Sequence, residues 1–300
     1  MDYNTRLFLR SVRIVTSQIK TFILLAVLSG LLIVIGGALG GRTGLIIAFG
    51  LALFMNIWSY WYSDSFVLRM YNAEPLSFDE APMIHTMVEE LAQSAGIPKP
   101  RIVVIPEDAP NAFATGRDPE HSVVAVTEGI IRILSAEELK GVLAHEVAHI
   151  ANRDILIQTV ASVIGSAIVS IANLLQFTAI FGFGQHNEDG ENSNPLVVLA
   201  MVLLAPIAAT IIQFAISRSR EYLADATGAK FTGKPLALAG ALEKLSNWNQ
   251  RTPMQQGNPS TSELFIVAPL FSGNMATLFS THPDIHDRVM RLRAMVQIHN

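Results

Sequence analysis

The chain has 300 residues, of which 50% are hydrophobic and 15% charged, with a formal net charge of -4. Soluble domains carry about 25% charged residues, so this composition excludes an ordinary soluble globule and a disordered chain, and the small charge without a long basic run excludes a nucleic-acid binder. There is no cysteine, which excludes disulfide frameworks and thiolate metal sites and leaves His, Asp and Glu as metal ligands.

Residues 1–21 form an arm bearing Arg6, Arg10, Arg13 and Lys20. Two apolar runs follow, 22–41 and 44–63, each about the 20 residues that a helix needs to cross hydrocarbon. Only Arg42 and Thr43 separate them, so 22–63 is expected to be a transmembrane hairpin. Trp58, Tyr60, Trp61 and Tyr62 cluster at its far end, where aromatic rings favour the headgroup level. The first run exceeds the roughly 7–15 residues of a signal-peptide core and leads straight into the second, which marks a retained anchor.

Residues 64–154 read as the first part of a mixed α+β domain. Ser77 and Glu80 have capping-box spacing, and Met83, Ile84, Met87, Val88 and Leu91 then recur at helical spacing up to Gly96. Arg101 to Ile105 and His121 to Val126 are short β-branched runs. Asn111 to Thr115 can pair with the second of these across a turn at Arg117–Glu120. Ser135 and Glu138 form another capping box, opening a helix through about Asn152.

That helix carries His145-Glu146-Val147-Ala148-His149. Residues four apart share a helix face, so both imidazoles can reach one ion, with Glu146 rotated toward a water on it. This is the H-E-x-x-H pattern of zinc peptidases; the bland alternative is a polar helix face with two solvated histidines.

A second hairpin is expected over 155–217, with spans 155–181 and 195–217. None of the four spans contains Asp, Glu, His, Lys or Arg, which argues against an ion pathway. The connection 182–194 is acidic, whereas Arg153, Arg218 and Arg220 flank the hairpin on the other side. Positive charge therefore assigns both termini, and the segments 64–154 and 218–300, to the cytoplasm.

Glu221 and Asp225, one turn apart, open the second part of the domain at 218–300. A tight hairpin returns the chain beside its departure point, which brings Glu221 toward His145 and His149 near the membrane surface. Glu221 is then a candidate third ligand, completing a His₂Glu set. Asp225 is a candidate acceptor for the free nitrogen of a ligand histidine. Helices are expected around 221–230, 234–248 and 283–298, with 250–262 a mobile loop and possible gate.

HEVAH at 145–149, Asn152-Arg153-Asp154, the segment 217–229, Asn111-Ala112-Phe113-Ala114 and Ser280-Thr281-His282-Pro283 together resemble the HtpX-type membrane zinc endopeptidases, relatives of the CAAX prenyl proteases. The resemblance spans essentially the whole chain. It implies a multi-pass α-helical membrane protein with an α+β zincin-like (gluzincin) cytoplasmic metalloprotease domain. His145, His149 and Glu221 would bind one Zn²⁺ per chain, Glu146 would be the catalytic base, and Asp225 would stand behind the ligands. It further implies a bacterial inner-membrane enzyme that degrades damaged membrane proteins without ATP, under stress, with polypeptide substrates, the bilayer as its setting and no nucleic acid or nucleotide.

The same resemblance suggests His282 as a donor to the developing oxyanion, with Arg288 nearby; the plainer alternatives are a helix-entry residue and a structural ion-pair partner. Asn111 and Ala112 fit an edge that pairs with an extended substrate, or simply a turn before a strand. Two other functions compete: prenyl-protein processing, which four spans without an obvious large chamber disfavour, and a non-enzymatic membrane metal-binding module.

Overall fold

The structure, a computed structural model, describes residues 3–166, 218–249, 251, 254, 259–268 and 283–297. The expected span 195–217, most of 155–181 and His282 lie outside the described residues. Helix α1 (Tyr3–Met70) is broken at Gly41, whose φ of 57° and ψ of -138° favour a residue without Cβ. Its two arms fold back on each other: the Asn56 amide donates to Ser29 Oγ at 2.8 Å, and Ser29 Oγ donates to the Leu25 carbonyl at 2.8 Å. Polar bonds of this kind tie helices together where the surroundings are apolar. Among the described residues, one helix, Gly41–Met70, is long and apolar enough to cross a membrane. Phe22, Ile46, Ile47, Phe49 and Phe54 are all exposed, apolar surface that water would not tolerate cheaply.

The sheet has the order β1-β2-β4-β3, made of β1 (Glu74–Pro75), β2 (Arg101–Ile105), β3 (Ala112–Gly116) and β4 (Ser122–Thr127). β2 and β4 run parallel, while β3 pairs antiparallel with β4 and forms one edge. Side chains alternate between the two faces, and each face has its own core. Ile102, Ala112, Ala114, Val124 and Val126 pack with the helices; Val103, Ile105, Phe113, Val123 and Ala125 pack with Val67 and Tyr71, at the end of α1, and with Phe265. Covering both faces is what a parallel pair requires. The β3–β4 connection is longer than a simple turn. Asp118 accepts the His121 N–H at 2.7 Å and caps a 3₁₀ turn over Pro119–His121.

Helix α2 (Pro82–Ala95) begins later than the capping box suggested. Ser77 and Glu80 do bond to each other, with the Ser77 N–H reaching Glu80 Oε2 at 2.9 Å. They close an isolated turn, because Ala81 precedes a proline and leaves the helical region at φ -142°, ψ 61°, as residues before proline do. Ile84, Val88 and Leu91 turn inward, whereas Met83 is half exposed. Helix α3 (Glu128–Ile133), unanticipated in the sequence, is capped by the Thr127 hydroxyl, which accepts the Ile130 N–H at 3.2 Å.

Helix α4 (Ala136–Asn152) is the central element. Its capping box is closed, with the Ser135 N–H on Glu138 Oε2 at 2.8 Å and the Glu138 N–H on Ser135 Oγ at 3.4 Å. It ends at Arg153, a non-glycine residue at φ 57°, and the chain turns directly into α5, described from Ile155 to Ser166. Helices α6 (Arg218–Thr232), α7 (Pro235–Asn249) and α8 (Ile285–Gln297) complete the bundle. α6 and α7 approach α4 through glycines. A Cβ on Gly228 would meet the backbone of Ala144 and His145 at 2.9–3.0 Å, and one on Gly141 would meet Leu238 at 3.0–3.3 Å. Of the expected loop 250–262, Met254, Thr261 and Ser262 are buried, and Pro259–Leu264 form a 3₁₀ helix.

Candidate metal centre

His145 and His149 sit on the inner face of α4, and Glu221 and Asp225 on the facing side of α6; all four are buried. The two His Nε2 atoms are 3.0 Å apart, and the imidazole rings meet edge to face. Glu221 lies across from them, with His149 Nε2 to Oε1 at 3.5 Å and His145 Nε2 to Oε2 at 3.6 Å. One ligand atom from each of the three residues falls within 4.8 Å of the others.

The opposite nitrogens fix the tautomers. His145 Nδ1 is 2.9 Å from Asp225 Oδ1, and His149 Nδ1 is 3.1 Å from Asp154 Oδ1. A carboxylate accepts only from a protonated nitrogen, so in the neutral rings both Nε2 lone pairs face the same small volume. Two lone pairs 3.0 Å apart repel unless a cation stands between or beside them. The local field favours that cation. Burial opposes charge on His149, but the Asp154 and Glu221 carboxylates outweigh it and push its pKa up to about 10. His145 is likewise raised despite burial, through its bonds to Asp225 and Glu221. Two imidazoles, a carboxylate and no thiol constitute a donor set suited to zinc in a catalytic site, with a position left open.

Behind the ligands stands Arg288, fully buried. Its Nε and Nη2 donate to the two Asp225 oxygens at 2.9 and 2.7 Å, and Nη1 donates to the Ile266 carbonyl at 2.7 Å. Burial alone would raise the Asp225 pKa; the guanidinium reverses this and holds it down at about 2. Asp225 is therefore ionised and takes up two partners, Arg288 and His145. Glu146 is different. It is buried beside the cluster, its Oε1 has no hydrogen-bond partner among the described residues, and burial raises its pKa.

The expected substrate edge is engaged from within the chain. Asn111 Nδ2 donates to the Val267 carbonyl at 2.7 Å, Asn111 Oδ1 accepts the Ala112 and Val267 amides at 3.1 and 3.4 Å, and the Ala112 carbonyl accepts the Ile266 amide at 3.0 Å. Asn111 and Ala112 thus anchor 266–267 against the end of β3. Sequence reasoning gave Asp154 no role of its own. The available signal was a carboxylate just beyond the helix that carries His149, where an αL residue swings the chain back toward it.

Comparison with known proteins agrees with this geometry. The sequence profile described as peptidase family M48 matches residues 79–296. The "Protease HtpX homolog" of Pyrococcus furiosus is 54% identical over 275 residues, covering 92% of this chain and 94% of that protein. The protein of the same description from Syntrophobacter fumaroxidans is 53% identical over 280 residues, covering 93% and 99%. The crystal structure of S. mikatae Ste24p is similar over 93% of this chain and 66% of that one, at 20% identity and a TM-score of 0.48, a likeness too slight to add to the assignment.

Proposed function

The chain belongs to peptidase family M48 and is a metalloprotease of the HtpX type, and we propose that it is a zinc endopeptidase embedded in the inner (cytoplasmic) membrane by four spans, 22–41, 44–63, 155–181 and 195–217. Both termini and the active site then face the cytoplasm, as the positive flanks Arg6, Arg10, Arg13, Lys20, Arg153, Arg218 and Arg220 favour. The outward apolar face of α1 supports the membrane setting.

His145, His149 and Glu221 would hold the zinc, which supplies Lewis acidity for activating water and polarising the scissile carbonyl. Asp225 and Asp154 keep the imidazoles in the ligating tautomer, and Arg288 holds Asp225. The short hydrogen bonds of Arg288, at 2.7–2.9 Å, go to Asp225 and the Ile266 carbonyl, while Glu221 and His145 lie farther from its guanidinium, at 3.8 and 3.5 Å. Arg288 therefore acts through Asp225, and donation to the oxyanion falls to His282.

Glu146 takes the proton of the attacking water and returns it to the leaving amine. The single observation that carries this role is its buried carboxylate oxygen, unbonded among the described residues, on a residue that interacts electrostatically with His145, His149 and Glu221. Burial also raises its proton affinity, which suits a base that must later act as an acid. An extended substrate would pair with the outer edge of β3. The Ala112 main chain and the Asn111 side chain are available to it when 266–267 gives way, and Ala114 and Gly116 continue the same edge by strand alternation. Main-chain pairing reads little sequence, which fits the clearance of misfolded or damaged membrane proteins, and the chemistry requires no ATP.

The experiment is cleavage of casein, and of an unfolded membrane protein, by the purified full chain with one equivalent of zinc, compared with Glu146→Gln. The variant should keep its zinc and lose at least about a hundredfold in rate. Equal zinc-dependent rates for the two proteins would remove Glu146 from the chemistry.

A further inference from the structure

A cavity of about 380 Å³ lies away from the metal centre, where α1, the β3–β4 connection and the start of α5 converge. We propose that it binds the headgroup of a glycerophospholipid bearing a primary amine, an inference that rests on the membrane reading of α1.

The position of the cavity is the first argument. Phe22 and Leu25 come from the beginning of the first apolar arm of α1, Tyr60 from the end of the second, and Ile155 and Leu156 from the first turn of α5. Three apolar helices thus start or finish around one opening. In a bilayer this is the headgroup level, the depth that aromatic side chains such as Tyr60 favour. Phe22 is 70% exposed and borders the opening, and Ile23 and Val27 beyond it on α1 are exposed as well, apolar surface on which an acyl chain would lie.

Its chemistry is the second argument. Arg117 and Arg153 both line the cavity. The Arg153 Nε is buried and has no hydrogen-bond partner among the described residues, which leaves a donor unsatisfied in the protein itself. The leading amides of α5 have no carbonyl partner within the helix, and a helix N-terminus attracts anions. The guanidinium of Arg153, that of Arg117, which also holds Asp118 at 3.5 Å, and these amides offer the donors that a phosphodiester would take. Asp118 and Glu120 stand on the same rim. Asp118 is engaged by Arg117 at 3.5 Å and by His121 at 2.7 Å, whereas Glu120 is exposed and placed to receive an ammonium group. A free phosphate would use the arginines alone and make no contact with Glu120 or the apolar wall. A headgroup with a phosphate and a primary amine uses all three, and the volume falls near the lower end of the roughly 300–1,000 Å³ typical of ligand pockets.

The test uses the full chain, delipidated in detergent, with dioleoyl phosphatidylethanolamine, phosphatidylglycerol and phosphatidylcholine, and with inorganic phosphate, binding being read by native mass spectrometry and by thermal shift. Phosphatidylethanolamine should bind in preference to the others. Arg117→Gln with Arg153→Asn, which retains a residue tolerant of positive φ, should weaken that binding by about tenfold or more, as loss of a charge-assisted contact predicts. Glu120→Gln, at an exposed position that leaves the fold alone, should shift preference toward phosphatidylglycerol, and Arg293→Gln on distant α8 should change nothing. Equal binding of all three lipids, phosphate binding as strong as lipid, or an Arg117/Arg153 variant that binds like wild type would overturn the proposal. Alkaline carbonate extraction separates the two readings. A chain that stays in the membrane but shows no lipid preference refutes the pocket alone, and a chain released by carbonate refutes the membrane reading beneath it.

Discussion

Gly228 and His145 touch backbone to backbone: a Cβ on Gly228 would stand 2.9 Å from the His145 amide nitrogen and 2.9 Å from the Ala144 carbonyl carbon. Glu221, Asp225 and Gly228 are spaced by four and three along α6, so they share one face. The glycine sets how closely the two carboxylates approach the histidines. Gly228→Ala should push α6 away from α4, destabilise the protein by about 1–3 kcal/mol as overpacking does, and lower zinc content. Thermal unfolding and metal analysis of the same preparation check both effects.

The two outer carboxylates are predicted to tune the metal. Asp225→Asn and Asp154→Asn each replace the charged carboxylate that fixes an imidazole tautomer, at 2.9 and 3.1 Å, by a neutral amide with one acceptor atom and one donor. Each should weaken zinc binding by about 10–100-fold, measured by competition with a chromogenic chelator. Arg288→Met is predicted to act differently, by stranding the Asp225 charge in the interior. Losing one partner of a buried pair costs about 3–5 kcal/mol, which should appear as a lower unfolding midpoint even in the apo protein.

The α4 cap gives a prediction in pH. Burial opposes ionisation of Glu138, but Lys244 at 2.7 Å and the Ser135 amide and hydroxyl outweigh it and hold its pKa below the ordinary 4.5. A depressed carboxylate stabilises the fold above its unfolded value, and that stability is lost as pH falls through the folded value. Glu138→Gln should therefore be less stable than wild type at neutral pH, and the gap should begin to close as pH falls below the ordinary 4.5 and vanish below the depressed folded value. Ser135→Ala should cost about 1 kcal/mol. Chemical denaturation across that range reads both.

Asn111 separates a structural from a substrate role. It ties Val267 through both amide atoms, and removing it leaves buried main-chain groups unsatisfied, at about 1–3 kcal/mol each. Asn111→Ala should lower Tm in the absence of substrate. If the side chain also holds substrate, KM rises further than the stability loss explains; an unchanged KM on a short peptide confines it to anchoring 266–267.

Local signals carried much of this fold into the sequence. The Ser135 box, the four-residue interval between His145 and His149, and the β-branched runs at 101–105 and 121–126 depend on neighbours along the chain, and α4, β2 and β4 follow them to within a residue at β4. Where a local rule met a stronger one, the expectation shifted: Pro82 moved the start of α2 beyond the Ser77 box. Long-range relationships were less visible. The parallel pairing of β2 with β4, the burial of Thr261 beneath Tyr71 and the anchoring of 266–267 on Asn111 join segments that no periodicity connects. The pairing of Asp154 with His149 was hidden by Arg153, because a non-glycine residue at φ 57° gives no compositional sign of the reversal it makes. Glu221 and Asp225 were legible because two carboxylates one turn apart declare a common face.

The most direct measurement is the position of the metal. Anomalous scattering at the zinc edge from crystals of the full chain should show one zinc, about 2.0–2.2 Å from His145 Nε2, His149 Nε2 and a Glu221 oxygen, and no zinc peak in Glu221→Ala crystals grown at equimolar metal. Zinc bound through the Nδ1 atoms, or retained unchanged without the Glu221 carboxylate, would contradict the account.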